Sequence, residues 1–246
     1  MFGKLLFPNR RKRSPYEDDV VVDLHSHLIP GIDDGASSLE ESVEMIAQMA
    51  NLGYTHLYTT PHIMWDCYKN EPLTIREGLA ELREVCQDEG IDITLDAAAE
   101  YFIDEHFLEL LHNDEELMTL PGNRVLIELP YTTPLLHFSE TVFSMVSKGY
   151  TPVLAHPERY TYFYSNPEVF RQLTQQGCEL QLNALSLLRY YGSEARKMAQ
   201  WLLDNKLVAF LGTDAHHMHH VKLLKEARQN KILSRYPFLN NKIKSL

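Results

Sequence analysis

Seven short apolar runs, rich in Val, Ile, Leu and Tyr, recur along this chain with helical patterns between them. Runs of that kind read as buried strands, and strands alternating with helices imply a parallel sheet covered by helices. They fall near Val20–Leu24, His56–Thr59, Ile91–Ala97, Val125–Leu129, Pro152–Ala155, Glu179–Leu182 and Leu207–Leu211. Ser37 and Ser38 stand three residues before Glu40 and Glu41, a capping-box signature. Leu39, Val43, Ile46, Ala47 and Ala50 then repeat at helical spacing until Gly53 stops the pattern. Further helices are predicted near Thr74–Glu89, His137–Lys148, Pro167–Gln176 and Ser193–Asn205. Seven βα units predict a distorted α/β barrel, (β/α)7 rather than the common eight-fold form, with a flat doubly wound sheet as its rival.

What stands at the ends of the runs favours the barrel. Just past them, or inside them, lie His25, His27 and Asp34, then His62, Glu100, Glu128, His156, and the pair Asp214 and His216. Parallel strands of a closed barrel all point one way, so groups at their C-terminal ends converge on one face. An open sheet gathers ligands mainly at its switch point. His25 and His27 share a side of an extended segment, because side chains alternate with period two. Taken alone, such a pair reads equally as a hydrogen-bonded structural pair, and Asp33-Asp34-Gly35 reads equally as a turn. Spacing does not choose between Asp33 and Asp34. Glu128 says more, because Leu126-Ile127-Glu128-Leu129 places a carboxylate inside an apolar run, where an unpaired charge would be very costly. A metal ion or an arginine must compensate it. His, Asp and Glu without thiolate suit manganese, iron or zinc, and the carboxylate-rich mixture favours manganese or iron. Nine ligands are too many for one ion and suit two or three. Arg159, three residues after His156, can reach the same pocket and fork onto phosphate oxygens. Its alternative is a surface ion pair with Glu158 or Glu168. His217, His219 and His220 are read as solvent-exposed or at the pocket mouth, outside the site.

Composition narrows the classes. At 246 residues and 44% hydrophobic content the chain can bury a full core. A net charge of -11 argues against a general nucleic-acid binder. No run is long enough to span a bilayer, so no stable membrane insertion is expected. Arg10-Arg11-Lys12-Arg13 follows the apolar residues of the N-terminus, the reverse of the order in a secretory signal. Residues 1–19 are therefore expected to form a flexible basic tail, and residues 20–246 one catalytic domain in the cytoplasm. Cys67, Cys86 and Cys178 are odd in number and widely spaced, which fits free thiols in a reducing compartment.

The segments D-L-H-S-H-L-I-P-G-I-D-D-G (Asp23 to Gly35), T-T-P-H (Thr59 to His62), A-A-E (Ala98 to Glu100), L-I-E-L (Leu126 to Leu129), A-H-P-E-R-Y (Ala155 to Tyr160) and T-D-A-H (Thr213 to His216) resemble the polymerase-and-histidinol-phosphatase (PHP) superfamily. More narrowly, they are similar to its bacterial manganese-dependent protein-tyrosine phosphatases of capsular and exopolysaccharide synthesis. The resemblance implies a trinuclear centre. His25, His27, Glu100 and Asp214 would hold one ion, Glu100 would bridge to a second completed by Glu128 and His156, and Asp34, His62 and His216 would hold the third. It takes Asp34 over Asp33 as the second position of D-D-G, and matches Arg159 to the family's active-site arginine. It departs after T-D-A-H, where His217-Met218-His219-His220 stands without the arginine often found nearby.

The implied reaction is hydrolysis of phosphotyrosine on a protein by metal-activated hydroxide, the substrate being a membrane-associated bacterial tyrosine kinase. The alternatives are a phosphatase of histidinol phosphate or another small phosphomonoester, and a non-catalytic metal-bound scaffold. A cysteine-dependent phosphatase is excluded, since the residues six positions after the three cysteines are Leu73, Asp92 and Ala184, and none is the arginine such a cradle needs.

Overall fold

The structure, a computed structural model, describes residues 20–245; the expected basic tail lies outside the described residues. In chain order the elements are β1 (Val22–Asp23), α1 (Leu39–Asn51), β2 (His56–Thr59), β3 (His62–Ile63), α2 (Pro72–Asp88), β4 (Thr94–Ala97), β5 (Glu100–Phe102) and α3 (Glu105–His112). There follow β6 (Arg124–Glu128), α4 (Phe138–Ser147), β7 (Thr151–Ala155), α5 (Glu168–Gln175), β8 (Glu179–Asn183), α6 (Gly192–Asp204), β9 (Val208–Gly212) and α7 (Met218–Arg228), with short 3-10 turns between and after. Ser38 caps α1 as its spacing predicts, accepting from the Glu41 N–H, while the Glu41 carboxylate reaches back to the Ser37 N–H at 3.0 Å.

All strand pairs are parallel, in two ladders ordered β1-β2-β4 and β3-β5-β6-β7-β8-β9. Only Thr60-Pro61 separates β2 from β3, and only Ala98-Ala99 separates β4 from β5. The nine strands therefore trace seven paths. Backbone bonds carry across the breaks, from Ala98 N to Thr59 O at 3.0 Å and from Glu100 N to Pro61 O at 3.1 Å. Pro61 has no N–H to continue the ladder, which is one physical reason the second path breaks.

The seam between the last path and the first is built differently. Ser26 and Ala215 form a single parallel bridge, and His27 N donates to Ala215 O at 2.9 Å. Deeper in, Asp23 accepts from both the backbone and hydroxyl of Thr213. Asn240, fully buried, fills the remaining gap: its amide donates to Val22 O and Leu211 O while its oxygen accepts from Leu211 N.

Side-chain alternation divides the core in two. On β6, Val125 and Ile127 join the large cluster under the helices, whereas Leu126 joins a smaller one with Val22, Val153, Ala155, Phe210 and Ile243. Glu128 shares the parity of Leu126 and so faces inward, above that inner cluster. Two helices lack counterparts in the sequence reading. α3 is eight residues long with only Phe107 and Leu111 buried, and α7 opens on histidines, so neither shows a sustained apolar stripe.

Candidate metal centre

All nine ligand candidates meet at one end of the strands. They divide into four overlapping groups: His27, Asp34, His62 and His216; His25, His27 and Glu100; His25, His156 and Asp214; and His62, Glu100 and Glu128. Glu100 is central. Its Oε2 lies 3.1 Å from His25 Nε2, 3.4 Å from His27 Nε2 and 3.2 Å from His62 Nδ1, while its Oε1 lies 3.2 Å from His156 Nε2. Glu128 Oε1 is 3.5 Å from the same His156 nitrogen. Asp34 Oδ1 is 3.5 Å from both His62 Nε2 and His216 Nε2. Asp34 is half exposed, and Glu100 and His25 are fully buried.

Local backbone helps to aim these groups. His156 and Asp214 both adopt left-handed conformations, with φ of 33° and 50°, at the exits of β7 and β9. Such values are uncommon without glycine and concentrate where a side chain must be presented against local preference. Two glycines make room by lacking a Cβ: one at Gly35 would strike the His27 backbone and side chain, and one at Gly212 would crowd Gln181 and come within 2.9 Å of His25 Cβ.

A second layer of bonds orients the first. Asp33, the aspartate not taken as a ligand, accepts from His27 Nδ1 at 2.8 Å, from Gly35 N at 2.9 Å and from His62 N at 3.1 Å. Gln181 Oε1 accepts from His25 Nδ1 at 2.8 Å, leaving Nε2 to face the cluster. Asp214 divides its oxygens. Oδ1 faces His25, His27 and His216, while Oδ2 accepts from Arg159 Nη1 and Asn183 Nδ2, both at 2.9 Å. Tyr131 donates to Glu128 Oε1 at 2.6 Å. Gln181, Asn183 and Tyr131 have no place in the site as the sequence is read, and Asp33 enters it only as the alternative to Asp34 as a ligand. D-D offered both carboxylates, but nothing in the spacing marked Asp33 as the one that orients His27.

The donor set fits divalent ions. Charge-assisted hydrogen bonds are shorter, about 2.7–2.9 Å, than most of these N···O separations. Donors at about 2.1 Å from a shared cation stand roughly 3.0–3.5 Å apart, as these do. His62 Nδ1 is buried with no hydrogen-bond partner although Glu100 is 3.2 Å away, so the atom is aimed but unsatisfied. Protons alone balance the site poorly. Burial would lower His25, but Glu100 and Asp214 outweigh it and push it up to about 9. Burial and then the Arg159 charge push His156 down to about 4, and burial with the Glu100 charge pushes Glu128 up to about 8.

The remaining histidines differ from expectation in part. His219 is exposed, but His220 is buried, accepting from His216 N at 3.2 Å and bonding the Tyr190 hydroxyl at 2.9 Å. His217 caps α7. Burial pushes the thiols of Cys86 and Cys178 up, to about 11 and about 12, which leaves neither a ready nucleophile.

The sequence profile of the family described as "Capsular polysaccharide synthesis, CpsB/CapC" matches residues 21–236. The tyrosine-protein phosphatase YwqE of Bacillus subtilis (strain 168) is 29% identical over 198 residues, covering 80% of this chain and 78% of the relative. The tyrosine-protein phosphatase CpsB of Streptococcus pneumoniae is 28% identical over 204 residues, covering 80% and 84%. A chain from the crystal structures of YwqE and CpsB, named there as metal-dependent tyrosine phosphatases, superposes with a TM-score of 0.80 at 27% identity, over 90% of this chain and 91% of that one. The histidinol phosphate phosphatase of Lactococcus lactis superposes with a TM-score of 0.57 at 13% identity, over 89% and 94%, a likeness of fold alone.

Proposed function

The chain belongs to the CpsB/CapC family of capsular polysaccharide synthesis, and from that premise we propose that it is a metal-dependent phosphatase acting on phosphotyrosine in a protein. One observation carries the reading: nine ligand candidates gather in one cluster, and Arg159 is joined to it through the two oxygens of Asp214. We assign His25, His27, Asp34, His62, Glu100, Glu128, His156, Asp214 and His216 as ligands of two or three ions, manganese before iron or zinc. Bound ions supply positive charge to phosphoryl oxygens and lower the pKa of water at the site.

The chain's own residues do the rest. The Arg159 side chain is 22% exposed, so part of its fork is open to an incoming phosphoryl group while Nη1 is anchored on Asp214. Gln181 and Asp33 hold imidazole protons away from the cluster, leaving the opposite nitrogens free to coordinate. A phenolate leaving group has a pKa of about 10, so it departs with little protonation. We take residues 20–246 as one catalytic domain working in the cytoplasm, with a membrane-associated tyrosine kinase as its substrate. Among the described residues no helix is long and apolar enough to cross a membrane.

The test is turnover on chelated and then manganese-, iron- or zinc-reloaded protein, comparing a phosphotyrosine peptide, a phosphoserine peptide and histidinol phosphate. Recovery on metal with preference for phosphotyrosine supports the proposal. Full activity in stripped protein overturns the metal role, and preference for histidinol phosphate overturns the protein substrate.

A further inference from the structure

We infer that Tyr131 and Tyr191 are positioning residues that hold the Arg159 guanidinium between their rings and fix the plane of its open edge toward the phosphoryl group. The inference rests on the reading of Arg159 as the phosphate clamp. The Arg159 Cζ lies 4.7 Å from the centre of the Tyr131 ring and 4.2 Å from that of Tyr191. Among the described residues Arg124, by contrast, lies over one ring, that of Phe210. A guanidinium is planar and stacks on aromatic faces, so two rings leave it one plane to occupy.

The two rings come from separate segments, the loop after β6 and the residue just before α6. Each is tied by its hydroxyl to the ligand cluster. Tyr131 donates directly to Glu128 Oε1. The Tyr191 hydroxyl accepts from Asn183 Nδ2 at 3.1 Å, and the same amide donates to Asp214 Oδ2. Asp214 Oδ2 in turn anchors Arg159 Nη1. The guanidinium is thereby referenced to the carboxylates of the metal centre on three sides. No other arginine occurs between Asp214 and Lys225, so that segment supplies no second fork to correct a misaligned one. A clamp misplaced by about 1 Å forfeits much of its effect on rate.

The experiment compares Tyr191→Leu, Tyr191→Phe, Tyr131→Leu and Tyr131→Phe in the metal-loaded protein, each with Arg159 present and with Arg159→Ala. It reads kcat and KM on a phosphotyrosine peptide, inhibition by inorganic phosphate, and metal content by elemental analysis. Arg159→Ala alone is expected to lose about a hundredfold in rate. Each Leu variant should lose about tenfold in kcat/KM, with phosphate inhibition weakened in parallel. Metal content should stay unchanged in Tyr191→Leu, whereas Tyr131→Leu also removes the bond to Glu128, so its loss is read against Tyr131→Phe, which removes that bond and keeps the ring. Tyr191→Phe, which keeps the ring, should recover most of that loss. In the Arg159→Ala background Tyr191→Leu should cost nothing further, and Tyr131→Leu should cost no more than Tyr131→Phe. Wild-type turnover in both Leu variants, or losses that persist undiminished without Arg159, overturn the sandwich while leaving the clamp reading intact. Wild-type turnover in Arg159→Ala overturns the clamp reading itself. Tyr131→Leu repeats the test from the opposite ring should Tyr191→Leu fold poorly.

Discussion

Asp33 and Asp34 are neighbours with the same side chain, and the fold gives them different work. Asp34 points a single oxygen at His62 and His216, whereas Asp33 spends both oxygens on bonds that hold His27, His62 and Gly35 in place. Asp33→Ala should therefore leave the fold intact but weaken metal retention about 10–100-fold, the usual cost of losing an orienting partner, as measured by competition with a chelator. Unaltered retention would mean that His27 needs no help in presenting Nε2. Glu100 makes a sharper case, since its two oxygens face four imidazoles. Glu100→Ala should lower the metal content by more than one ion per chain, and unchanged stoichiometry in elemental analysis would deny it a bridging role. Eight of the nine candidates could be read from the chain because a His or carboxylate at the end of an apolar run is conspicuous against its neighbours, whereas Asp34, beside an identical side chain, is separated from Asp33 only by the family resemblance. Tyr131, Tyr191, Asn183 and Gln181 could not, because tyrosines and amides are ordinary residues of loops and strands. Their roles arise only when segments distant in the chain are brought side by side.

At the scale of elements, period-two alternation carries the argument from sequence to site. Leu126 and Glu128 share a face of β6, so the residue that seals the inner cluster dictates where the carboxylate points. Most predicted strands and helices lie where apolar patterning puts them, within a residue or three at their ends. Breaks at Thr60-Pro61 and Ala98-Ala99 escaped that reading because burial continues through them: Thr60, Pro61, Ala98 and Ala99 are all buried. Hydrogen-bond register, not hydropathy, defines them. Register also explains Gly212, which ends β9 opposite Asn183 and beneath His25. An alanine there gains chain stiffness, typically less than about 1 kcal/mol. Its Cβ, however, collides with the Gln181 amide that orients His25, and overpacking of that kind costs about 1–3 kcal/mol. Strain should win. Gly212→Ala is expected to lower stability in urea and to reduce metal content, whereas a variant as stable and as metal-rich as the parent would show that Gln181 can move aside freely.

Closure belongs to the molecule as a whole. Six parallel strands form one ladder and three another, and the two are brought together at the seam by side chains as much as by backbone. At the top of the seam the ligand segments knit themselves, with Asp214 N donating to His25 O at 2.7 Å and His27 N to Ala215 O at 2.9 Å. Lower down, Asn240 makes three bonds to Val22 and Leu211, and Ile243, three residues on, plugs the inner cluster from below. Apolar patterning marks no element in these C-terminal residues, because a lone asparagine replacing a strand ladder leaves no periodic trace. Its energetic weight follows from burial: a carboxamide removed from three backbone partners leaves a buried donor and acceptors unpaired, at a cost of about 3 kcal/mol in all. Asn240→Ala should shift the urea midpoint accordingly with the m-value unchanged. Asn240→Asp should be worse, since a carboxylate would face the two carbonyls that now accept from the amide. Because the seam's upper half is held by other bonds, kcat and metal content measured well below the unfolding transition should stay near those of the parent. If Asn240→Ala instead lost metal while remaining folded, the lower seam would be setting the geometry of His25 and Asp214 and not only the stability of the barrel.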